Sequence, residues 1–439
     1  MFILLFACTG PDTGEAAGAL TPAVTLDAES ETALTAAWTT DRPADAAIEY
    51  GGDDQYGDRV VGWSSEDGLE HAVVLAGLAA GHEWHWRAVS TGAATEVSAD
   101  QLFLPRRAPP EIPGLTVTGD YDGLVVTPLL GSGTFVAMYD GEGRVVWWRK
   151  LADELDILTQ ARLSLDGRSV VAMADDPALD GTETALHRFP IAGGDAAITP
   201  LGNAHHDFVE LVDGGYATLQ YDTRPYAGQE VRGDVLVAVD ADGDTTPVWS
   251  TWDDRQPGDL DQYPTVKGVG PDWTHLNSIV YDDGIYWLSS YQLRCLFLVD
   301  GEAGALVGQI AGPDADVLLA GDEGFGPQHS PIPTEGGFLL FNNRPLDTVP
   351  LWSEAVEFTL DMDKREFSRR SSYDADHSVF TAVFGNVEPR ADEGRFIGWG
   401  SAGRLTVLGA DGTPTWDAAS PLGSAFGFAH PVVALSGVP

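Results

Sequence analysis

The feature that most constrains this 439-residue chain is a β-hairpin pattern that recurs six times. Each copy has a short apolar strand, a turn rich in Asp and Gly, and a second strand, as in V-L-V-A-V-D-A-D-G-D-T-T-P-V-W. The copies begin at Thr134, Ala185, Val235, Leu296, Val356 and Leu405, so the intervals are 51, 50, 61, 60 and 49 residues. Such intervals are typical of β-propeller blades. The repeat therefore predicts an all-β, six-bladed β-propeller over residues 114–439.

A second repeat lies between these hairpins and places polar side chains at matching positions. It runs from a polar head through a strand and a glycine turn into another strand, as in H-S-P-I-P-T-E-G-G-F-L-L-F. No backbone requirement explains why four copies share His or Asn, so these residues indicate a functional site. If this strand lines the central channel, the heads converge there. They are His206, His275, His329 and Asn386, with Gln160 or Arg162 nearby and His430 from a sixth copy.

The charge of the chain excludes several functions. It carries 67 Asp and Glu against 24 Lys and Arg, a net charge of −43. The resulting field repels nucleic acid and anionic membranes, so we predict no nucleic-acid partner. No EF-hand spacing accompanies the acidic residues, and we interpret them as a solvated surface. Beyond the N-terminus, no apolar run is long enough to span a bilayer.

Residues 1–20 resemble a lipoprotein signal followed by a flexible tether. The segment L-F-A-C, which ends at Cys8, resembles the lipobox of bacterial lipoproteins, in which the cysteine is acylated. The resemblance implies export to the bacterial cell envelope, with the lipid on Cys8 as the membrane contact. A buried N-terminal strand or a start site further upstream are alternatives, because the apolar stretch is short and no Lys or Arg precedes it. An acylated Cys8 leaves Cys295 without a disulfide partner.

Residues 21–105 are predicted to form a small β-sandwich ahead of the propeller. Several short segments there alternate apolar and polar residues, as strands with one buried face do. The segment V-V-L-A-G-L-A-A-G-H-E-W-H-W-R-A-V resembles the fibronectin type III pattern. Its corner residues are Leu78, Gly81, Trp84 and Arg87. The proline-rich residues 106–113 are predicted to be a stiff linker.

Several segments of the propeller region together resemble the bacterial aryl-sulfate sulfotransferase family, which does not use the nucleotide sulfate donor. They are H-H-D-F, D-W-T-H-L-N-S-I-V-Y-D-D, L-S-S-Y, Q-H-S-P and G-R-F-I-G-W-G-S-A-G-R. The resemblance implies an enzyme without a cofactor that moves a sulfuryl group from an aryl sulfate to a phenol through a sulfohistidine. It implies His329 as the nucleophile. The groups implied to hold the sulfuryl oxygens are His275, Asn277 and His206.

The chemistry of imidazole agrees with these roles. A neutral imidazole is a good nucleophile near pH 7, and it is also a good leaving group from its N-sulfo adduct. As in phosphoryl transfer, positioned donors and cations stabilise the charge on the transferred group and on the leaving oxygen. A departing phenolate also benefits from a proton donor, a role open to His275 or His206.

The cation expected to bind the sulfuryl group is where this chain departs from the family pattern. In the L-S-S-Y motif the family usually has arginine where this chain has Tyr291. Arg294 can replace it only if the chain bulges or turns there, because residues three apart in a strand point to opposite faces. His205 ranks behind His206, since the family histidine directly precedes the acidic residue. Further candidates for substrate binding are Tyr291 itself, Asn386, Arg344, Arg162, Arg390 and Arg404.

Two other functions fit the same residues. A non-catalytic propeller on a sandwich stalk, binding a small ligand or a cell-surface glycan, is favoured by Tyr291 and by the acidic surface. Three convergent imidazoles could also bind zinc or copper. The sequence leaves open the natural donor and acceptor, the oligomeric state and the role of the sandwich.

Overall fold

The computed structural model describes residues 20–26, 31–131, 134–151, 157–175, 184–321, 323–346, 349–421, 424–432 and 435. These residues form β-strands almost throughout, and the described helices are single turns at Thr251–Asp254, Leu260–Gln262, Ala375–His377 and Gly400–Ala402. Cys8 lies outside the described residues, so lipidation remains a prediction. None of the described helices is long and apolar enough to cross a membrane.

Six consecutive sheets make up the larger part of the chain. Blade 1 contains Leu124–Leu130, Phe135–Asp140 and Val145–Lys150, with Ala425–Phe426 and His430–Val432 as its first strand. Blade 2 contains Ile157–Leu163, Ser169–Asp175, Thr184–Pro190 and Ala197–Gly202. Blade 3 contains Ala204–Glu210, Tyr216–Tyr226, Gln229–Val239 and Thr245–Ser250. Blade 4 contains Leu276–Asp282, Ile285–Ser290, Cys295–Asp300 and Ala305–Ile310.

Blades 5 and 6 complete the set. Blade 5 contains Gln328–Thr334, Gly337–Asn342, Glu354–Asp361 and Glu366–Tyr373, with Leu318–Leu319 along its outer edge. Blade 6 contains Asn386–Pro389, Arg395–Gly398, Arg404–Leu408 and Pro414–Ala419, with Thr116–Gly119 as an added outer strand. A short hairpin, Thr265–Val266 and Gly270–Pro271, lies between blades 3 and 4. The predicted hairpins are the third and fourth strands of the blades, and the polar heads lie at or just before the start of the first strands.

The blades form a closed ring. Six apolar clusters each lie between two neighbouring blades, and one of them joins blade 6 to blade 1. The C-terminal strand His430–Val432 pairs with Leu124–Leu130, while Thr116–Gly119 pairs with Pro414–Ala419. Both ends of the propeller sequence therefore close the ring, which confirms the predicted six-bladed β-propeller.

The first strands of the blades line the central channel, and four of them are irregular near their beginning. Successive first strands of blades 2 to 6 contact one another around the ring. In blades 2 to 5 the register with the second strand shifts at a bulge. His206, His275 and Ser330 have φ angles of 65°, 47° and 49° at or beside these bulges. A bulge interrupts the strict alternation of a strand and re-aims its side chains, here at the channel mouth.

Two further sheets precede the propeller and pack face to face. One contains Ala23–Leu26, Leu34–Thr39, Glu70–Leu75 and Trp63–Ser64. The other contains Asp58–Val61, Ala44–Gly51, Trp84–Gly92, Thr95–Val97 and Gln101–Phe103. Their shared core includes Trp38, Ile48, Val73 and Trp86. The N–H of Ala80 donates to the carbonyl of Val145 at 2.9 Å, so this unit rests on blade 1. Its likeness to fibronectin type III remains a prediction.

Candidate active site

The three histidines at the heads of blades 3, 4 and 5 converge at one end of the channel. The ring centroids of His206 and His275 are 4.8 Å apart. The Tyr291 ring lies near both His275 and His329. Its centroid is 5.5 Å from that of His275 and 6.0 Å from that of His329. The sequence thus predicted this convergence, although the roles of the residues remain predictions.

His329 is held as a neutral imidazole with a defined tautomer. Its Nδ1 lies 2.7 Å from Oδ1 of Asn343, whose Nδ2 donates to the carbonyls of Thr381 and Phe384 at 3.1 and 2.9 Å. Because both protons of that amide are committed, its oxygen must accept, and His329 carries its proton on Nδ1. Burial lowers the pKa of His329 to about 4. The lone pair on Nε2 is therefore available at neutral pH.

His275 has the opposite electrostatic character. Its Nδ1 lies 2.6 Å from Oδ2 of Asp272, which is buried. Burial alone would lower the pKa of His275, but the hydrogen bond and the charge of Asp272 raise it above its ordinary value. His275 is thus the imidazole of the cluster that most readily carries a positive charge.

His206 is backed by a second histidine rather than by a carboxylate. Its Nδ1 lies 2.8 Å from Nδ1 of His205, and Nε2 of His205 lies 3.1 Å from Oδ1 of Asp234. The His205 ring stacks on Tyr221 with centroids 4.0 Å apart and planes 14° apart. Burial, together with the nearby His275, holds the pKa of His206 well below its usual range. His206 is therefore neutral at neutral pH.

Aromatic side chains and one buried guanidinium surround the imidazoles. Phe428, from the C-terminal segment that closes the ring, lies with its centroid 5.8 Å from that of His329. Arg232 is 4% exposed, stacks over Tyr221 at 3.8 Å, and is close enough to His206 and His275 to lower the pKa of each. The site thus combines an apolar wall with a positive charge, as an aromatic anion requires.

Two of the predicted residues point into the seams between blades. Asn277 is fully buried, and its Nδ2 donates to the carbonyl of Gln328 at 2.7 Å. Asn386 donates to the carbonyl of Ala429 at 2.7 Å and to Glu388 at 3.1 Å. In the described residues neither amide is hydrogen-bonded to a histidine of the cluster, so both tie neighbouring blades together.

Three of the predicted arginines, Arg294, Arg344 and Arg162, occupy different environments. Residues Tyr291–Arg294 form the turn between two strands of blade 4, which is the turn that Arg294 needs in order to replace the family arginine. The Arg294 side chain is exposed and lines a cleft beside Tyr291. Arg344 lines the adjoining cleft and stacks on Trp352 at 3.7 Å. Arg162 is paired with buried Asp207 at 3.0 Å, away from the cleft.

Sequence reasoning missed several residues that complete the site. Asp272 belongs to the quoted D-W-T-H motif, and Asn343 lies two residues beyond the quoted repeat H-S-P-I-P-T-E-G-G-F-L-L-F. Arg232 and Asp234 belong to an R-G-D segment that interrupts an otherwise apolar strand, a signal of buried charge. The position of Phe428 carries no local signal.

A metal site is the third interpretation of the histidine cluster. In the part of the chain that the structure describes, no group of three or more His, Cys, Asp or Glu side chains has an arrangement that could hold a metal ion. The three imidazoles instead direct their Nδ1 atoms to Asp272, Asn343 and His205.

Fold and site together define a class of protein, a β-propeller with a histidine-lined channel mouth. Within that class, the chain belongs to the arylsulfotransferase (ASST) family, whose sequence model matches residues 124–409. The match includes strands of all six blades and the residues His206, His275 and His329. No curated protein matches the chain.

Solved structures with a similar backbone arrangement have low sequence identity to this chain. A protein of unknown function from Bacteroides caccae has 10% identity and a TM-score of 0.48, covering 71% of this chain and 99% of its own. A streptogramin B lyase has 12% identity and a TM-score of 0.40, covering 70% and 84%. A nidogen–laminin complex has 8% identity and a TM-score of 0.44, covering 71% and 98%.

Proposed function

We propose that the protein is a sulfotransferase that moves a sulfuryl group from an aryl sulfate to a phenol through a sulfohistidine at His329. The observation that carries this proposal is the state of His329, a buried neutral imidazole whose Nδ1 proton is held by Asn343. That arrangement leaves Nε2 as the nucleophilic atom. Membership of the arylsulfotransferase family supports the same chemistry.

In the donor step, Nε2 of His329 attacks sulfur and the bond from sulfur to the aryl oxygen breaks. The three sulfuryl oxygens carry negative charge throughout, so nearby positive groups lower the barrier. His275, paired with Asp272, supplies such a charge next to the nucleophile. Arg232 supplies a second positive charge. It takes the role of the family arginine, whose position is occupied by Tyr291 in this chain. Tyr291 and Phe428 pack against the aromatic ring of the substrate.

In the acceptor step, a phenol attacks the sulfur of the sulfohistidine and the S–N bond breaks. Two successive transfers through one intermediate give ping-pong kinetics. The partners proposed for the protein are therefore an aryl sulfate and a phenol. We also propose that it acts in the bacterial cell envelope, anchored by a lipid on Cys8.

The first test uses 4-nitrophenyl sulfate as donor and phenol as acceptor. We expect release of nitrophenol, formation of phenyl sulfate, and a sulfo adduct on the peptide that contains His329. His329→Ala should abolish the adduct and lower turnover by at least about 10³-fold, as loss of a nucleophile does. Unchanged turnover in His329→Ala, or an adduct elsewhere, contradicts the proposal.

A second candidate function is non-catalytic binding of an aryl anion in the same channel. It is favoured by one observation, the tyrosine at position 291 where the family usually has arginine. Saturable binding of 4-nitrophenyl sulfate by the wild-type protein without any release of nitrophenol is the result that this candidate predicts.

A further inference from the structure

Behind His206 lies a buried chain of hydrogen-bonding groups that the sulfuryl transfer itself does not use. It runs from Asp234 through His205 to His206, with separations of 3.1 and 2.8 Å. His205 is 3% exposed and Asp234 is fully buried. Sequence reasoning placed His205 behind His206 as a substrate-binding candidate, and the structure places it where substrate contact is not its evident role.

Asp234 is held as a carboxylate. The hydroxyl of Thr274 and the N–H of Leu276 both donate to its Oδ2, at 2.5 and 2.8 Å. Burial alone would raise the pKa of Asp234, but the interactions with His205, Thr274 and Leu276 lower it. Oδ1 of this carboxylate lies at an ion-pair distance of 3.1 Å from Nε2 of His205, so its negative charge favours a proton on that nitrogen.

The short contact between the two Nδ1 atoms requires one shared proton. If the proton is on His205, this ring is an imidazolium, and neutral His206 carries its own proton on Nε2, directed into the channel. If the proton is on His206, His205 is neutral and Nε2 of His206 has a free lone pair. Both arrangements keep His206 neutral, and they differ by one proton in total.

We propose that His205 and Asp234 store the proton of the catalytic cycle and that His206 passes it to and from the phenolic oxygen. This inference rests on the proposed sulfuryl transfer and assigns His206 a role other than holding the sulfuryl oxygens. In the donor step, Nε2 of His206 protonates the departing phenolate while the Nδ1 proton of His205 moves to Nδ1 of His206. The positive charge lost by His205 is balanced by the sulfo-imidazolium formed at His329.

The acceptor step reverses the transfer. The phenol oxygen bonds to sulfur as the S–N bond breaks, its proton goes to Nε2 of His206, and the Nδ1 proton of His206 returns to His205. The free enzyme is restored with His205 as an imidazolium beside the Asp234 carboxylate. The cycle thus needs no proton from solvent in either step, which suits a buried site.

The charged groups around the relay allow one stored proton. Asp234 and Asp175 favour a positive charge, and Oδ2 of Asp175 accepts the backbone N–H of His206 at 3.1 Å. Arg232 and His275 oppose a second positive charge at the relay, since both lower the pKa of His206. The parallel contact with Tyr221 restricts rotation of the His205 ring. His205 is therefore a positioning residue that acts through His206.

A spectroscopic experiment tests the relay without any turnover. In protein labelled with ¹⁵N-histidine, we expect both ring nitrogens of His205 to be protonated at pH 7, and Asp234→Asn to leave this ring neutral. A neutral His205 in the wild-type protein overturns the relay. Because this measurement needs no substrate, its result stands apart from success or failure of the sulfotransferase assay.

A kinetic experiment tests the same relay through the leaving group. Phenyl sulfate releases a basic phenolate with a pKa near that of tyrosine, about 10, whereas 4-nitrophenyl sulfate releases a much weaker base. In His205→Asn we expect the donor step with phenyl sulfate to slow by about 10²–10³-fold and the step with 4-nitrophenyl sulfate by about fivefold or less. His187→Asn, in blade 2, is the matched control and should behave as wild type.

The ratio of the two rates separates the relay from a merely structural effect. Misfolding of His205→Asn would lower both rates alike, and retained formation of sulfo-His329 from 4-nitrophenyl sulfate shows that the site is intact. Equal losses with the two donors in a variant that still forms sulfo-His329 overturn the relay. If the wild-type protein forms no sulfo-His329, the proposed function is overturned instead.

Discussion

At the scale of single residues, the site depends on which partner each imidazole has. His329 faces an amide oxygen, His275 a carboxylate and His206 another imidazole. Histidines of identical intrinsic chemistry therefore differ in the ease with which they take up a proton: the pKa values of His329 and His206 are lowered and that of His275 is raised. The assignment of these states follows from Asn343, Asp272 and His205 more than from the histidines themselves.

Replacing the amide partner of His329 should change the pH dependence of the donor step. The nucleophile is the unprotonated imidazole, so activity is lost as pH falls through its pKa, which is about 4 in the wild type. In Asn343→Asp a carboxylate next to Nδ1 stabilises the imidazolium, and the acidic limb of kcat/KM should move up by about 1–3 pH units. The profile of kcat/KM for 4-nitrophenyl sulfate measures this change.

The uncharged variant Asn343→Ser provides the control for that experiment. It removes the fixed acceptor and should slow the reaction, but it adds no charge to stabilise the imidazolium. An acidic limb that moves equally in both variants, or in neither, contradicts the assignment of His329 as the neutral nucleophile.

At the scale of secondary structure, the bulges in the first strands bring the site together. A regular strand alternates its side chains between two faces, whereas a bulge breaks this alternation and changes the direction of the side chains beside it. In blade 5 the bulge contains Ser330, which has a φ of 49° and donates its N–H to Oγ of Ser278 in blade 4 at 2.8 Å. The backbone that follows His329 is thereby tied to the neighbouring blade.

Substitutions at Ser330 should separate the effect of the bulge from that of the side chain. A β-branched residue is strained at positive φ, so Ser330→Val should lower the free energy of unfolding by about 1–3 kcal/mol. It should also lower kcat through displacement of His329. Urea unfolding and turnover of 4-nitrophenyl sulfate measure the two effects.

Glycine is the matched control at the same position, because it adopts positive φ without strain. Ser330→Gly keeps the N–H that bonds to Ser278, and its stability and turnover should stay close to those of the wild type. Equal losses in Ser330→Val and Ser330→Gly would show that the backbone conformation is not what matters.

At the scale of the whole molecule, the positive groups of the site are surrounded by a protein of strongly negative net charge. The net charge of −43 repels an aryl sulfate, while positive groups such as Arg232 and His275 attract it only at close range. Long-range repulsion is screened by salt over a Debye length of about 10 Å at 0.1 M, whereas buried contacts are screened much less. Salt should therefore assist capture of the donor.

Ionic strength gives a test of this balance. Between about 0.01 and 0.15 M salt we expect kcat/KM for 4-nitrophenyl sulfate to rise, because repulsion of the anion is screened. The value for the uncharged acceptor phenol should change little and serves as the control. A fall in the donor value with salt would indicate net attraction, and contradict the proposed role of the acidic surface.

Much of this architecture could be predicted from sequence because it depends on local patterns. Apolar strands separated by Asp and Gly turns recur at a nearly constant interval, and each blade must bury both faces against its neighbours. The same counting placed His206, His275 and His329 in equivalent positions. Asn386 was counted with them by the same pattern, yet in the structure it bonds to Glu388 and Ala429.

The sequence by itself determined the number of blades and the histidines at the heads of three of them. Only the tertiary structure decided the surroundings of those histidines, because Asn343, Asp272 and Phe428 come from segments outside the first strands, Phe428 from the C-terminal end of the propeller sequence. Their positions depend on ring closure and on a few backbone angles at the bulges. Local sequence patterns do not predict those backbone angles. The proton states of the histidines depend on the angles because they set which groups each imidazole contacts.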